Sequence, residues 1–313
     1  MTDVRYTEIS MEEAGQRLDN YLIKILKGVP KSRIYRLIRN GEVRVNKKRA
    51  RPSTRLSAGD MVRIAPIRCA EEKQVNPKRA TAERLLASII YEDEYFLAIN
   101  KPCGIAVHGG SGISLGVIEC LRQIRTDLPY LELVHRLDKE TSGCLVLAKK
   151  RSMLRALQAL FESRDVKKTY WALLAQPWQG KSSLVVDAPL KKNILQSGER
   201  VVKVDQQGKS SETKFKLLEN YSSSCWVEAR PSTGRTHQIR VHSAYLGHPI
   251  LGDEKYGDGA KIAGLGAMGK RLYLHARAVE FTLQGKSYYF QAELDERFNA
   301  AIAQLRSSGG GHD

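Results

Sequence analysis

The sequence predicts an α+β protein in which a small basic α/β unit precedes a larger domain built on a mixed or antiparallel sheet. Two observations favour this class: positive charge is concentrated near the amino terminus, and strand-like segments outnumber helical ones from about residue 85 onward. A length of 313 residues is also typical of two domains rather than one. We expect a small unit over 15–75, a linker over 76–84, a large domain over 85–305 and a flexible tail over 306–313.

The charge distribution points to a polyanionic partner. Residues 15–70 contain 15 Lys and Arg but only 3 Asp and Glu, which gives a net charge of +12. The whole chain carries +17, so the remaining residues are nearly balanced. High positive charge alone indicates only solubility or a polyanion, but its concentration in one compact unit favours nucleic acid.

The small unit is predicted to contain two helices followed by two strands. Apolar residues repeat at helical spacing in QRLDNYLIKIL, and Pro30 and Gly41 suit the start and the end of a second helix. The segments EVRVN and MVRI alternate like strands, and NKKR and SAGD are typical of turns. The candidate RNA-binding cations lie on the second helix and the first turn: Arg33, Arg36, Arg39, Lys47, Lys48 and Arg49.

A polar segment between two apolar runs is the main candidate site of the large domain. The stretch LVHRLDKETSGCLVLAKK, residues 133–150, has Asp138 in its middle, and Gly143 permits a tight turn after it. A turn aspartate most often bonds the local backbone. The residues alone therefore leave a structural turn and an active site both open.

Longer motifs resemble a known family. The segment HRLDKETSG resembles the active-site signature of the pseudouridine synthases, and LAINKPCGIAVHGG, KKTYWALL and ARPSTGRTHQIRVHSAYLGHPILGDEKYG resemble their other motifs. The segments RLDNYL, PKSRIYRLIRNGEVRVNKK and LSAGDMVRI resemble the S4 RNA-binding domain. The resemblance implies an S4 domain that docks structured RNA by shape and phosphate contacts. It further implies a catalytic domain that isomerises uridine to pseudouridine without cofactor or metal, with large-subunit ribosomal RNA as substrate.

The resemblance also implies residue roles. Asp138 matches the essential aspartate, and Arg235 in GRTHQIR matches the cation that pairs with it and keeps it ionised. Tyr170 offers a flat ring for the uracil, and Arg136, two residues before Asp138, fills the gap left by the flipped nucleotide. The sequence leaves open whether Asp138 attacks the sugar, attacks the base or removes a sugar proton.

The sequence disfavours a membrane or secreted protein, a disulfide-bonded protein and a metal-binding protein. No apolar run approaches the roughly 20 residues that span a bilayer, and no signal peptide is visible, so we expect a cytoplasmic protein, and a monomer. The five dispersed cysteines include no CxxC, which argues against disulfides and structural zinc. His237, His242 and His248 accompany no HExxH, so we expect them to be solvated or hydrogen-bonded rather than metal-bound.

Two alternatives come from other classes. The segment GISLG fits the GxSxG pattern of a serine hydrolase, but a Gly-rich loop rather than an apolar strand precedes Ser114. The stronger alternative is a scaffold that binds ribosomal RNA through its S4 domain and catalyses nothing. Release of hydrogen from C5 of uridine separates the enzyme from the scaffold.

Overall fold

The computed structural model divides the chain into two compact units, Met1–Val75 and Asn76–Asp313. It describes residues 3–11, 13–26, 28–67, 77–110, 115–194, 200–257 and 271–309. Ser114 of the hydrolase alternative lies outside these residues. No helix in the described part of the chain has both the length and the apolarity needed to cross a membrane.

The first unit is a four-stranded antiparallel sheet with two helices. Its elements are β1 (Arg5–Glu8), α1 (Leu18–Ile25), α2 (Lys31–Arg39), β2 (Val43–Val45), β3 (Lys48–Arg49) and β4 (Met61–Ile64). The strand order is β1-β4-β2-β3. The two predicted helices and two predicted strands are all present, and β1 and β3 are additional. The predicted apolar stripes form the core of this unit, with Leu18, Leu22, Ile34 and Leu37 fully buried.

A tight hairpin turn presents the basic loop of this unit. Asn46 and Lys47 have φ of 50° and 65°, which two-residue hairpin loops of the primed type require. The side chain of Asn46 fixes the turn, because its Nδ2 donates to Asp60 Oδ1 at 2.8 Å and its Oδ1 accepts from the Met61 amide at 2.8 Å. Lys47 and its neighbours are therefore held exposed at the hairpin end.

The second unit is built around a ten-stranded mixed sheet. Its elements are α3 (Arg79–Ala87), β5 (Ile89–Glu92), β6 (Phe96–Lys101), α4 (Val117–Ile124), β7 (Glu132–Leu133), β8 (Ser142–Ala148), α5 (Arg151–Ser163), β9 (Lys167–Ala175), β10 (Ser183–Asp187), β11 (Leu190–Ile194), β12 (Arg200–Val204), β13 (Glu212–Asn220), β14 (Ser224–Pro231), α6 (Gln238–Tyr245), β15 (Leu274–Leu283), β16 (Lys286–Gln291) and α7 (Glu296–Gly309). The sheet order is β10-β13-β14-β9-β15-β8-β6-β5, with β16 beside β15 and β7 beside β8. The β15–β8 pair is parallel and the other pairs are antiparallel, while β11 and β12 form a separate hairpin.

Two helices differ from the sequence predictions. Helix α3 begins at Arg79, inside the segment 76–84 that we predicted as a linker; its Leu85 is fully buried in the core, and Arg79 pairs with Glu83 at 2.8 Å. Helix α7 continues to residue 309, into the segment that we predicted as a tail. Its Phe298 and Leu305 pack against the sheet.

Gly143 allows β15 to approach the segment that carries Asp138. It lies inside β8 rather than in the turn that we predicted, and it pairs with Ala276 of the parallel strand β15. Its φ is 109°, and a Cβ at this position would lie 2.3 Å from the Ala276 carbonyl oxygen. Only glycine therefore permits this contact between strands.

A buried lysine ties the loop after β6 to the Asp138 segment. Lys101 is fully buried, and burial lowers its pKa to about 8. Its Nζ donates to the carbonyl oxygens of Pro102, Ile105 and Lys139 at 2.9, 2.9 and 3.1 Å. Since Lys139 directly follows Asp138, this amine anchors the backbone beside the candidate site.

We predict that Gly143→Ala destabilises the large unit, because the added methyl group must displace the β15 backbone. The expected loss in the free energy of unfolding is about 2–4 kcal/mol, the range of severe backbone and packing defects. Urea denaturation measures it. Gly110→Ala is the matched control, since a Cβ there meets nothing within 4 Å. Equal stability of the two variants would contradict the close approach at Gly143.

Candidate active site

A small pocket forms where four distant parts of the large unit meet. Its volume is about 130 Å³. The walls come from the 136–141 segment, from β9, from the loop that joins β14 to α6 together with the first turn of α6, and from β15. The chemistry-bearing side chains that line it are Arg136, Asp138, Lys168, Tyr170, Arg235, His237 and Arg240.

Asp138 lies at the bottom of a turn and keeps its carboxylate open to the pocket. The turn is closed by its own backbone, because the Thr141 amide donates to the Asp138 carbonyl oxygen at 3.1 Å. The side chain is 24% exposed. Its Oδ2 lies 3.7 Å from Arg240 Nη1 and 3.7 Å from His237 Nε2. Both distances exceed hydrogen-bond length, so room remains for a substrate group.

Arg240 is held in place by a second carboxylate. Its Nε and Nη2 donate to the two oxygens of the fully buried Asp253, both at 2.7 Å. This bidentate geometry fixes the guanidinium plane and leaves Nη1 directed at Asp138. Burial acts to lower the pKa of Arg240, but the hydrogen bonds and the negative charge of Asp253 outweigh it and raise the pKa overall. Asp138 therefore always faces a cation.

His237 approaches the same oxygen of the Asp138 carboxylate as Arg240 does. It precedes α6 with a φ of 54°, a left-handed conformation that turns its ring into the pocket. Burial lowers its pKa, against the opposing effect of the Asp138 charge. Its Nδ1 lies 2.6 Å from the Tyr256 hydroxyl, which accepts a hydrogen bond from the Val202 amide at 3.1 Å. Tyr256 donates to Nδ1 in the tautomer whose proton lies on Nε2, and this tautomer directs an N–H towards Asp138.

Gln238 fixes the loop that carries the pocket residues. Its Oε1 accepts from Thr233 Oγ1 at 2.6 Å and from the Arg235 amide at 3.0 Å. Its Nε2 donates to the Glu212 carbonyl oxygen at 2.8 Å and to Thr213 Oγ1 at 3.0 Å. All four bonds of one amide side chain are satisfied, so the loop has a defined shape before any ligand binds.

Strand β9 supplies the wall opposite the loop. The Tyr170 ring faces the pocket, and burial raises the pKa of its hydroxyl, with smaller contributions from the charges of Asp138 and Cys144. Lys168, two residues earlier, donates to the Thr233 carbonyl oxygen at 3.1 Å. Burial lowers its pKa to about 8. The Tyr170 phenol therefore stays protonated at neutral pH. The neighbouring Lys168 is held in place by its hydrogen bond to Thr233.

Comparison with known proteins assigns this fold and pocket to one family. The profile described as RNA pseudouridylate synthase matches residues 95–245, and the S4 domain profile matches residues 16–62. The chain is 50% identical over 311 residues to ribosomal large subunit pseudouridine synthase C of Salmonella typhi, covering 97% of each chain. It is also 50% identical over 312 residues to the protein of that name in Escherichia coli strain K12, covering 97% and 98%.

The chain belongs to the RNA pseudouridylate synthase family. It is therefore an isomerase, which favours the enzyme over the scaffold that the sequence left as the alternative. Among solved structures it is similar to human RNA pseudouridylate synthase domain containing 4, with 31% identity and a TM-score of 0.60. That likeness covers 72% of this chain and 96% of the human one.

The structure brings together all four predicted site residues, but it places a different arginine next to the aspartate. Asp138, Tyr170, Arg136 and Arg235 all line the pocket. The structure places Arg240 rather than Arg235 next to the Asp138 carboxylate, at 3.7 Å. Arg235 lies on the exposed rim, where its Nε donates to the Ser210 carbonyl oxygen at 3.1 Å.

Sequence reasoning missed Arg240, His237 and Lys168 as pocket residues. The motif GRTHQIR contains both His237 and Arg240, but their place in the pocket depends on the left-handed backbone at His237 and on the start of α6 at Gln238, which the sequence does not mark. His135 supports the strand beside the site, because its Nε2 accepts from the Val146 amide at 3.1 Å. Over the described ranges, no group of three or more His, Cys, Asp or Glu is arranged to hold a metal ion.

The predicted RNA-binding cations of the first unit are all exposed. Arg33, Arg36 and Arg39 lie along α2, on the side away from its buried apolar residues. Lys47 belongs to the hairpin turn, and Lys48 and Arg49 form β3. Their positions suit phosphate contacts, which stay a prediction.

We predict that Arg240→Lys lowers kcat by about 100-fold, the size of an effect expected when a preorganised charge is lost from an active site. A lysine cannot bind Asp253 through two nitrogens and still face Asp138. Single-turnover kinetics at saturating RNA measures the effect, and thermal unfolding checks the fold.

The matched control is Arg235→Lys, which keeps a cation on the rim. We expect its kcat to stay within about threefold of the wild type. A cation on the rim binds the RNA equally in the ground state and in the transition state, so its replacement changes KM rather than kcat. A large loss of kcat in Arg235→Lys together with normal turnover in Arg240→Lys would restore the original pairing and refute ours.

Proposed function

We propose that this protein converts uridines of large-subunit ribosomal RNA into pseudouridine, with Asp138 as the essential catalytic group. The observation that carries this proposal is the placement of the Asp138 carboxylate. It is open to a pocket, lies 3.7 Å from the Arg240 guanidinium and shares the pocket with the Tyr170 ring. The substrate class is supported by the two bacterial relatives, whose names specify the ribosomal large subunit.

The pocket suits one extruded base rather than a duplex. Its volume of about 130 Å³ is far too small for paired strands, so the target uridine must leave its stack. The Tyr170 ring offers a face for the uracil, and such stacking contributes roughly 1–3 kcal/mol per base. This contact also retains the ring once its bond to the sugar has opened.

Asp138 acts as an ionised group at the reacting nucleotide. The reaction breaks the bond between N1 and the sugar, turns the uracil and joins C5 to the same sugar carbon. C5 releases a proton and N1 takes one up, so the product is an isomer of the substrate. A carboxylate facing Arg240 can attack the sugar, attack the base or remove a sugar proton. Each route uses the carboxylate oxygen that faces Arg240.

Arg136 is placed to support the extruded state. It is exposed at the pocket mouth, and no hydrogen bond or ion pair engages its side chain within the described residues. A planar guanidinium that enters the gap left by the flipped nucleotide would offset part of the few kcal/mol that flipping costs. Asp138 and Arg136 would then act on the same nucleotide from inside and outside the pocket.

A basic groove beside the pocket is the proposed path of the RNA backbone. Its volume is about 390 Å³, and it shares Gly234, Arg235 and Thr236 with the pocket wall. Its cations come from the β11–β12 hairpin region and the rim: Lys191, Lys192, Lys209 and Arg235. Arg235 thus has a role as a phosphate contact.

Tritium release from uridine labelled at C5 in large-subunit ribosomal RNA tests the function. We expect release with the wild type and none above background with Asp138→Asn, because the amide is neither nucleophile nor base. Tyr170→Phe should keep RNA binding and stacking, whereas Tyr170→Leu should lose stacking and raise KM by roughly tenfold. Normal tritium release by Asp138→Asn, or none by the wild type from any large-subunit RNA, would refute the proposal.

A further inference from the structure

A larger groove lies on the sheet face opposite the pocket. Its volume is about 600 Å³, and strands β13, β14, β9, β15 and β16 contribute to its floor. Successive residues of a strand point to opposite faces, so Tyr170 enters the pocket while Trp171 enters this groove. The residues given a role in the pocket, Asp138, Tyr170, Arg136 and Arg240, do not line this groove.

The groove carries an excess of positive charge. Two carboxylates line it, Glu228 and Glu280, and six cations do so: Arg164, Lys167, Lys168, Lys214, Arg230 and Arg277. The two carboxylates are already paired, with Arg230 at 2.8 Å and Lys167 at 2.9 Å. Lys214 and Arg164 are exposed and have no ionic or hydrogen-bond partner for their side chains among the described residues. The large unit, residues 76–313, contains 34 Lys and Arg and 25 Asp and Glu, a net charge of +9, and four of these net charges line this one groove. The local excess favours an anionic ligand.

Aromatic rings are interleaved with these cations. The Arg277 guanidinium lies 4.5 Å above the centre of the Trp171 ring, and the edge of Trp226 supports that ring at 5.0 Å. Tyr289 is 62% exposed, and its hydroxyl donates to Gln291 at 2.8 Å, which orients the ring. Aromatic faces within a basic groove are the arrangement that binds single-stranded nucleic acid without base-specific hydrogen bonds.

The groove adjoins the pocket at one end of β9. Lys168 and Pro231 line both cavities. An RNA strand that leaves the pocket can therefore reach the groove past Lys168, which is a cation. The continuity gives the groove access to nucleotides close to the target uridine.

We propose that this groove is a second RNA-binding site, which holds a single-stranded segment flanking the modified uridine. The inference rests on the proposed function, because it requires an RNA substrate in the pocket. It adds a selection step: RNA with an accessible flank binds more tightly than a short stem-loop that carries only the target. The contribution enters binding, so KM changes and kcat does not.

Two pairs of matched variants test the proposal. Lys214→Glu changes the charge of the groove, and Lys181→Glu makes the same change at an exposed lysine outside it. Tyr289→Ser removes the exposed ring, and Tyr245→Ser does so at a position that is also 62% exposed but outside the groove. Each protein is assayed by tritium release on two RNAs with the same target uridine, one with single-stranded flanks and one reduced to the target stem-loop.

We expect both groove variants to raise KM for the flanked RNA by roughly tenfold at unchanged kcat, with no change on the stem-loop. Lys214→Glu should also reduce the salt dependence of log KM by about 1 for the lost phosphate contact. A groove variant indistinguishable from its control on both RNAs would overturn the inference and assign the groove to an occupant other than RNA. Absence of tritium release by the wild type on both RNAs would instead refute the proposed function.

Discussion

The active site depends on one guanidinium that bonds one carboxylate and faces another. Arg240 binds the fully buried Asp253 through two nitrogens and turns a third towards Asp138 at 3.7 Å. Asp253 is itself fixed, because it accepts the amides of Lys255 and Tyr256 at 3.0 and 3.1 Å. Because the buried Asp253 carboxylate is held by these hydrogen bonds, it fixes the Arg240 guanidinium, and the cation is in position before RNA binds.

The fold assembles this arrangement from distant parts of the chain. Asp138 precedes β8, Tyr170 belongs to β9, and Arg240 is in the first turn of α6. The parallel contact of β8 with β15 brings the first two together, and it needs the missing side chain at Gly143. The amide of Gln238 then sets the loop before α6. The pocket thus depends on the strand order of the sheet, on the missing side chain at Gly143 and on the hydrogen bonds of Gln238. For this reason no continuous stretch of sequence contains all of its residues.

The sequence predicts local structure well and the pairing of site residues less well. The strands of the large domain and helix α5 follow from periodicity, and the motifs identify Asp138 and Tyr170 as site residues. The choice between Arg235 and Arg240 depends on where α6 begins and on the left-handed turn at His237, and neither leaves a periodic signal. The helix α3 was missed because Leu85 is its one buried apolar side chain. Short helices of this kind depend on tertiary packing.

The central claim is that Arg240, held by Asp253, presents a cation to Asp138 while a flipped uridine occupies the pocket. A crystal structure of the protein with RNA that carries 5-fluorouridine at the target tests it most directly. Fluorine replaces the C5 hydrogen that the reaction must release as a proton, so the nucleotide is retained. We expect the fluorinated base on the Tyr170 ring, its nucleotide in contact with Asp138, and Arg240 bonded to Asp253. A nucleotide bound outside the pocket, or Arg235 in the place of Arg240, would contradict the account.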